Sequence, residues 1–413
     1  QNPVHEYHFE GIYTVSLTIT GAYNNSDTEI KDGYIIVTVA DHDDGIHIPA
    51  DYPTIQEGIN ASSDGDTIFV ADGTYSGTGN TNLSWDAENK HLTILSDNGP
   101  ENCIIDGENL NRAFFFNDTG QDENDRIEGF TIINGYSPTS GGAFYIKSCS
   151  PALSNLIFDG NHANIFGGAL YLHSSNSGLH RLLIKNNSSG EKGAALSIGQ
   201  GSQVTVNSST ITENNSDEGR AVYLFGGGSL EIINTIVKSS GTTQDFFSFQ
   251  ISDPNTLTIS YSNIQGSESS VNMNNNGTLE WLDGNIDLDP LFTNTDTYDL
   301  NWISPCINTG SPEPPFDPDG SISDMGYSFY DMTGFGPSEA DFEVIYSTGI
   351  APHTVTFVDL STNSPGYWKW DLGDGTIIEY TEPIDTLSHT FLISGDSTTQ
   401  YFDISLEVRG GGF

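Results

Sequence analysis

The chain has 413 residues, enough for two or three domains with cores of their own. Only 12 Lys and Arg stand against 56 Asp and Glu, and the net charge of -44 repels nucleic-acid phosphates and anionic membranes, which argues against both as partners. Hydrophobic residues make up 35% and there are 45 glycines, a mixture that suits short strands and tight turns and disfavours long helices. The acidic surface also favours solubility in salt and attracts divalent cations.

No apolar run approaches the length of a membrane span. The three cysteines, Cys103, Cys149 and Cys306, form no disulfide framework and no metal-binding spacing. Buried free thiols are the default, and a Cys103–Cys149 pair stays open. The chain opens without Met and without a signal segment, as expected if it begins inside a domain.

Residues 1–41 read as strands. His5-Glu6-Tyr7 leads into the alternating run Gly11–Ile19, and after a polar turn comes Gly33–Val39.

Residues 42–337 carry a repeat. Before it, Ile46–Asn60 reads as a cap, with Pro53 at a helix start and Ile55 and Ile59 on one apolar face. A strand over Asp66–Val70 and a turn over Asp72–Tyr75 follow. Gly141-Gly142-Ala143-Phe144-Tyr145-Ile146 then recurs at Gly167, Gly193 and Gly219, each 26 residues after the last, with a weaker copy at Asp245–Phe249. A second apolar stretch in each unit ends in a polar corner: Phe130–Gly135, Leu156–Asn161, Leu182–Asn187, Thr210–Asn215. A fixed period in this range predicts a solenoid. The apolar runs are too short for helical repeats, so each unit is a coil of strands stacked over a continuous core.

The opening of this region resembles pectin-lyase-like β-helix proteins. Its tail, Gly277–Ile286, Asp289-Pro290-Leu291-Phe292, Ser304–Gly310 and Asp324-Met325-Gly326-Tyr327, resembles the bacterial surface β-helix family called choice-of-anchor Q. That likeness implies a right-handed parallel β-helix in a large envelope or secreted protein, mostly without assigned catalysis.

Residues 338–413 alternate like a sandwich, with strands at Phe342–Val344, Val355–Phe357, Trp368–Trp370 and Ile404–Leu406. Trp368-Lys369-Trp370-Asp371-Leu372-Gly373-Asp374-Gly375 and Ser388-His389-Thr390-Phe391 resemble the PKD (polycystic kidney disease) domain, an immunoglobulin-like sandwich. Leu372 and Phe391 replace its usual aromatic and Tyr, and its last strand is expected to be missing. Residues 1–41 look like the second half of the same module. The fold class expected is all-β: a right-handed parallel β-helix flanked by immunoglobulin-like β-sandwich domains.

No catalytic constellation stands out. Arg181, Lys185 and Asp159 fall on neighbouring coils as a lyase pairing would need, but scattered surface charge explains them better. Asn294-Thr295-Asp296 matches a fragment of the polygalacturonase pattern without its partners. His162, His173 and His180 lack metal-ligand spacing. Asp317, Asp319 and Asp324 surround a Gly turn and form the candidate calcium site, since calcium prefers oxygen ligands; the competing reading is a turn using Asp and Gly for their backbone conformations. Asp41-His42-Asp43-Asp44 is a weaker version. Asp371 and Asp374 read as structural, and at least one of Trp368 and Trp370 as core. Sequons such as Asn82, Asn117 and Asn276 are acceptors in a secreted context.

The function expected is a non-enzymatic extracellular or cell-surface structural or adhesive protein. A rigid β-helix spacer is linked by PKD-like modules into a stalk or filament. Its partners would be copies of itself, neighbouring modules of a longer chain, or surface polysaccharide. The alternatives are a calcium-dependent glycan-binding module and a polysaccharide lyase or hydrolase.

Overall fold

The computed structural model describes residues 11–20, 26–37, 45–87, 90–217, 221–240, 246–249, 253–332, 340–361, 365–381, 386–392 and 399–410. The chain divides into two units, Gln1–Ile46 and His47–Phe413. His5–Tyr7, the weaker acidic run Asp41–Asp44, and Gly219, Arg220 and Asp245 of the repeat lie outside the described residues.

The first unit is an antiparallel hairpin of Gly11–Thr20 with Ser26–Val37, whose register shifts between Tyr13 and Val15. The second strand begins at Ser26 rather than Gly33, because Ser26–Lys31 continues the pairing as far as Thr20.

The second unit opens with a helix over Ile55–Ala61 that buries Ile55, Gly58 and Ile59. Thr54 is its N-cap: the hydroxyl accepts the Glu57 amide at 3.3 Å, satisfying one of the unpaired N–H groups of the first turn. Pro53 therefore sits one residue before the cap, outside the helix.

Parallel coils follow, about nine in number among the described residues. The first stack contains, among others, Thr67–Val70, Thr93–Ser96, Arg126–Glu128, Gln203–Asn207 and Asn255–Ser260. A second stack begins at Gly73–Ser76, predicted as a turn but paired in parallel with Cys103–Asp106. The third runs Phe114–Asn117, Phe144–Lys147, Leu170–His173, Leu196–Gly199, Val222–Phe225, Phe247–Phe249. Ala152–Asp159 and Gly178–Lys185 each bend from the first stack into the second.

Register explains the core. Phe144, Leu170, Leu196, Val222 and Phe247 are vertical neighbours, and all are fully buried. So are Ile146, Leu172, Ile198, Leu224 and Phe249 two positions on, as strand alternation requires. Each such side chain contributes roughly 1.5–3 kcal/mol by leaving water. The 26-residue step is not uniform. His180 pairs with Asn207, and Val222 with Phe247, so the corners absorb single-residue changes while the columns stay aligned.

The glycine pair of the repeat meets two constraints. Gly167 turns the corner at φ +67°, and a Cβ on Gly168 would lie 2.3 Å from the Ser188 carbonyl oxygen of the next coil.

Polar ladders cross the interior at the corners. Asn161 donates through Nδ2 to Asn187 Oδ1, and Asn187 likewise to Asn214, each at 2.9 Å. At another corner the Leu182 amide donates to Ser209 Oγ at 3.0 Å, the Ser209 amide to Thr235 Oγ1 at 3.3 Å, and the Thr235 amide to Ser262 Oγ at 3.1 Å. These side chains satisfy backbone groups that the bends remove from the strand ladders.

Beyond the coils, the chain from Ile286 to Met332 does more than close one end. It runs back along the outside of the second stack. Tyr298 and Tyr327 cover Leu183, while Leu300, Cys306 and Met325 cover Ile236. The Tyr327 amide donates to Thr210 Oγ1 at 3.0 Å and the Ser311 amide to Asn234 Oδ1 at 2.7 Å. Apolar side chains on an outward strand face explain the need for this cover.

The final region holds two three-stranded antiparallel sheets. One orders Phe342–Ile345, His353–Asp359, Thr386–Phe391; the other orders Ile377–Tyr380, Pro365–Asp371, Ser405–Gly410. Their core is Val355, Phe357, Trp368, Trp370, Leu372, Leu387 and Phe391. Both tryptophans are buried, so neither presents a platform at the surface.

Candidate functional site

Few charges inside this unit are unaccounted for. Lys185 reaches Asp159 at 3.4 Å, as the coil spacing predicted, but its Nζ also donates to the Asp296 carbonyl at 2.7 Å and only a tenth of its side chain is exposed. It pins the returning segment to the coils, and Asn294-Thr295-Asp296 belongs to that pin. Arg126 pairs with Glu128, Lys147 with Asp118 and Lys238 with Asp289. Arg112 donates to the Gly141 carbonyl and to Ser137, and lies 5.3 Å and 5.5 Å from the ring centres of Phe115 and Tyr145.

Phe115, Tyr145 and Tyr171 form an outward ladder with ring centres 5.1 and 5.2 Å apart. Phe225 joins it by lying across Gly199, where a Cβ would come within 2.3 Å of the ring. Rings stacked face to face along the coil axis turn their edges outward. They stabilise one another and offer little face to a sugar.

The histidines are accounted for similarly. His162 bonds Ser188 Oγ at 2.8 Å and stacks on Tyr136; His173 sits against Tyr171 and Phe225.

The three aspartates of the predicted calcium site lie on the returning segment, and each holds backbone. Asp317 accepts the Asp324 amide at 2.7 Å. Asp319 accepts the amides of Ser321 and Met332. Asp324 is 3% exposed and accepts the amides of Asn308 at 2.6 Å and Tyr330 at 2.7 Å. Burial raises the Asp324 carboxyl to about 7 against those hydrogen bonds, and the neighbouring Asp317 and Asp319 charges add to the rise. The arrangement tightens a turn.

Sequence reasoning missed a second cluster. His91, Asp122 and Asp125 bring ligand-type atoms within 4.8 Å of one another, the one such group of three found among the described residues. Asp125 is fully buried and accepts from Trp85 Nε1 (3.1 Å), the Leu92 amide (2.9 Å), the Asp122 amide (3.1 Å) and His91 Nδ1 (2.9 Å). Four donors saturate it, so it serves as an internal anchor rather than an open ligand. Nothing in the spacing of Trp85, His91 and Asp125 announces the cluster.

Two cavities lie between the coils and the returning segment. A cavity of 140 Å³ is lined by His180, Asn207, Phe316, Asp317 and Phe329, and a second of 380 Å³ by Asn98, Glu101, Asn155 and Asp299; Arg181 and Tyr327 border both.

A family model described as the Chlamydia polymorphic membrane protein repeat matches residues 155–173. The match covers about one coil: the corner at Asn155, the ladder residue Asn161, the pair Gly167-Gly168 and the strand Leu170–His173. No curated protein matches the chain. No described helix is long and apolar enough to cross a membrane.

Proposed function

We propose that this chain is a non-enzymatic structural or adhesive element of the cell exterior. In this reading a right-handed β-helix is a rigid spacer, and PKD-like sandwiches at its two ends link it into a stalk or filament. The observation that carries the proposal is the disposition of the cations. In the coils Lys185 and Arg112 bond carbonyls or hydroxyls of neighbouring segments, Lys147 and Lys238 pair with carboxylates beyond their own coil, and Arg126 pairs with Glu128 on its own strand, so these charges are engaged within the chain instead of meeting a substrate. The short match to a repeat whose name specifies a membrane protein supports an exterior location. The choice-of-anchor Q likeness of the tail supports the same placement.

The test is electron microscopy of the native material, with an antibody to the coils. Labelled extracellular stalks or fibres support the proposal. Cleavage of uronate polysaccharides by the purified protein, lost on Lys185→Ala in a folded variant, would instead make it a lyase.

A second reading, a calcium-dependent glycan-binding module, is favoured by the raised Asp324 carboxyl beside Asp317 and Asp319. In that reading the three aspartates bind calcium and shape the neighbouring groove. Chelation that leaves the thermal midpoint unchanged would sink it.

A further inference from the structure

The returning segment is held to the coils in two different ways. Its first half is pinned by cations: Lys185 Nζ donates to the Asp296 carbonyl, and Lys238 pairs with Asp289. Its second half, residues 308–332, rests on amides and apolar cover. The amides of Ser311 and Gly326 donate to Oδ1 and the carbonyl of Asn234, at 2.7 and 2.8 Å, and the Tyr327 amide donates to Thr210 Oγ1. Tyr327 packs on Leu183 and Met325 on Ile236.

A knot of three carboxylates gives that second half its shape. Asp324 accepts the amides of Asn308 and Tyr330, Asp319 those of Ser321 and Met332, and Asp317 that of Asp324. The two ends of the stretch are thereby drawn onto one turn, with Asp324 buried at its centre. The titratable and charged groups that face Asp324 are Asp317, Asp319, Cys306 and Tyr327 on its own segment, and His180 and Arg181 of the coils across the 140 Å³ cavity. Burial raises the Asp317 carboxyl, and Arg181 offsets part of that rise while its guanidinium lies 5.8 Å from the ring centre of Phe329.

Such a knot is best satisfied when one member is neutral. Burial is the main reason the Asp324 carboxyl rises from 3.8 to about 7; the two amides oppose the rise, and the charges of Asp317 and Asp319 add to it. Asp319 goes the other way: burial raises it, but hydrogen bonds from Ser321 and Met332 outweigh burial and hold it below its ordinary value. Asp324 is therefore the member that keeps a proton. Between its two values the docked segment holds a proton that the open segment has released, so each pH unit weakens docking about tenfold. Above the upper value the weakening is complete.

We propose that residues 308–332 form a pH-sensitive strap, which releases from the coils as a unit once its three carboxylates are all charged. Release uncovers the sides of Leu183 and Ile236 that Tyr327 and Met325 cover, while Lys185 and Lys238 keep the first half of the returning segment in place. A stretch held by few hydrogen bonds opens locally, well below the free energy that unfolds the stacked coils. The strap goes beyond the spacer role and does not depend on it, since the coils stay stacked when it opens.

The experiment is hydrogen exchange of the whole native chain between about pH 5 and about pH 8, read by mass spectrometry as protection factors corrected for the intrinsic rate at each pH. Peptides within residues 308–332 are compared with coil peptides within residues 156–199. The strap peptides should lose about tenfold or more in protection across that range, with a midpoint near 7, while the coil peptides keep theirs. Asp324→Asn has no charge to gain and should show no decline. If the variant's strap is unprotected at every pH, the wild-type midpoint decides: near 7 upholds the strap and below about 5 overturns it. The proposal is also overturned if wild-type strap peptides keep their protection, if strap and coil peptides lose it together, or if Asp324→Asn declines as the wild type does.

Discussion

Asn161 donates through Nδ2 to Oδ1 of Asn187 at 2.9 Å across a step of 26 residues. The same Oδ1 accepts the Asn161 amide at 2.9 Å, while Asn187 Nδ2 donates to the Phe158 carbonyl and to Asn214. One side chain thus serves three successive coils. Removing it in Asn187→Ala leaves several buried groups unpaired, each costing about 1–3 kcal/mol. The expected loss is on the order of 3 kcal/mol, read by denaturant titration. Asn186→Ala, one residue away and exposed, should cost less, about 1–2 kcal/mol for alanine in its left-handed backbone.

The glycine pair gives an asymmetric prediction. Gly168→Ala forces a Cβ against the Ser188 oxygen, while Ala194 occupies the equivalent place one coil on. Gly168→Ala should destabilise by about 1–3 kcal/mol, as overpacking does. Ala194→Gly should cost less, on the order of 1 kcal/mol. Equal effects would show that the corner relaxes freely.

Asp125 is the most committed carboxylate of the coils. Asp125→Ala leaves the Trp85 Nε1, the Leu92 amide and His91 without their acceptor, and a loss of about 3–5 kcal/mol is expected, as when a buried charged partner is removed. The hydrogen bond that His91 donates to Asp125 raises the His91 pKa. That part of the stability is present below the unfolded histidine value and fades as pH rises through the folded one. His91→Gln should therefore flatten the stability profile above the ordinary histidine value.

Asp324 works in the same direction at lower pH. Its carboxyl is raised in the fold to about 7, so the folded state holds a proton that the unfolded state has already released. Stability should decline as pH rises from about 4 to about 7, the interval between the reference and folded values. Asp324→Asn should remove that slope. In the calcium reading, millimolar calcium raises the wild-type midpoint at pH 8 and leaves Asp324→Asn unmoved.

Cys103, Cys149 and Cys306 are free and buried, and burial raises the thiols of Cys103 to about 12 and Cys306 to about 11. None should react with a water-soluble disulfide reagent until the chain unfolds. Prompt labelling of the native protein would contradict the packing around them.

The coils were legible because they repeat: a fixed step with strand-length apolar runs leaves little else to build. The strands of the two C-terminal antiparallel sheets were legible in their alternation, and the burial of both Trp368 and Trp370 follows from it. The returning segment was harder to read. Ile286–Met332 has few regular elements, and its contacts with Leu183, Thr210 and Ile236 join residues far apart in sequence. The Asp125 anchor was hidden for the same reason, since Trp85, His91 and Asp125 share no period. At Asp317, Asp319 and Asp324 the residue types showed the acidity, but not that every carboxylate would be holding a backbone amide. Arg181 was singled out for its charge, whereas its left-handed backbone shows only in the fold.

The central claim is that these coils form a rigid spacer outside the cell. Electron microscopy of the native material, at its natural salt and calcium concentrations, tests it most directly. The account predicts extracellular stalks or fibres containing straight segments about 40 Å long, the rise of about nine coils at strand spacing, at regular intervals. Dispersed single molecules that turn over a polysaccharide, with no ordered assembly, would contradict it.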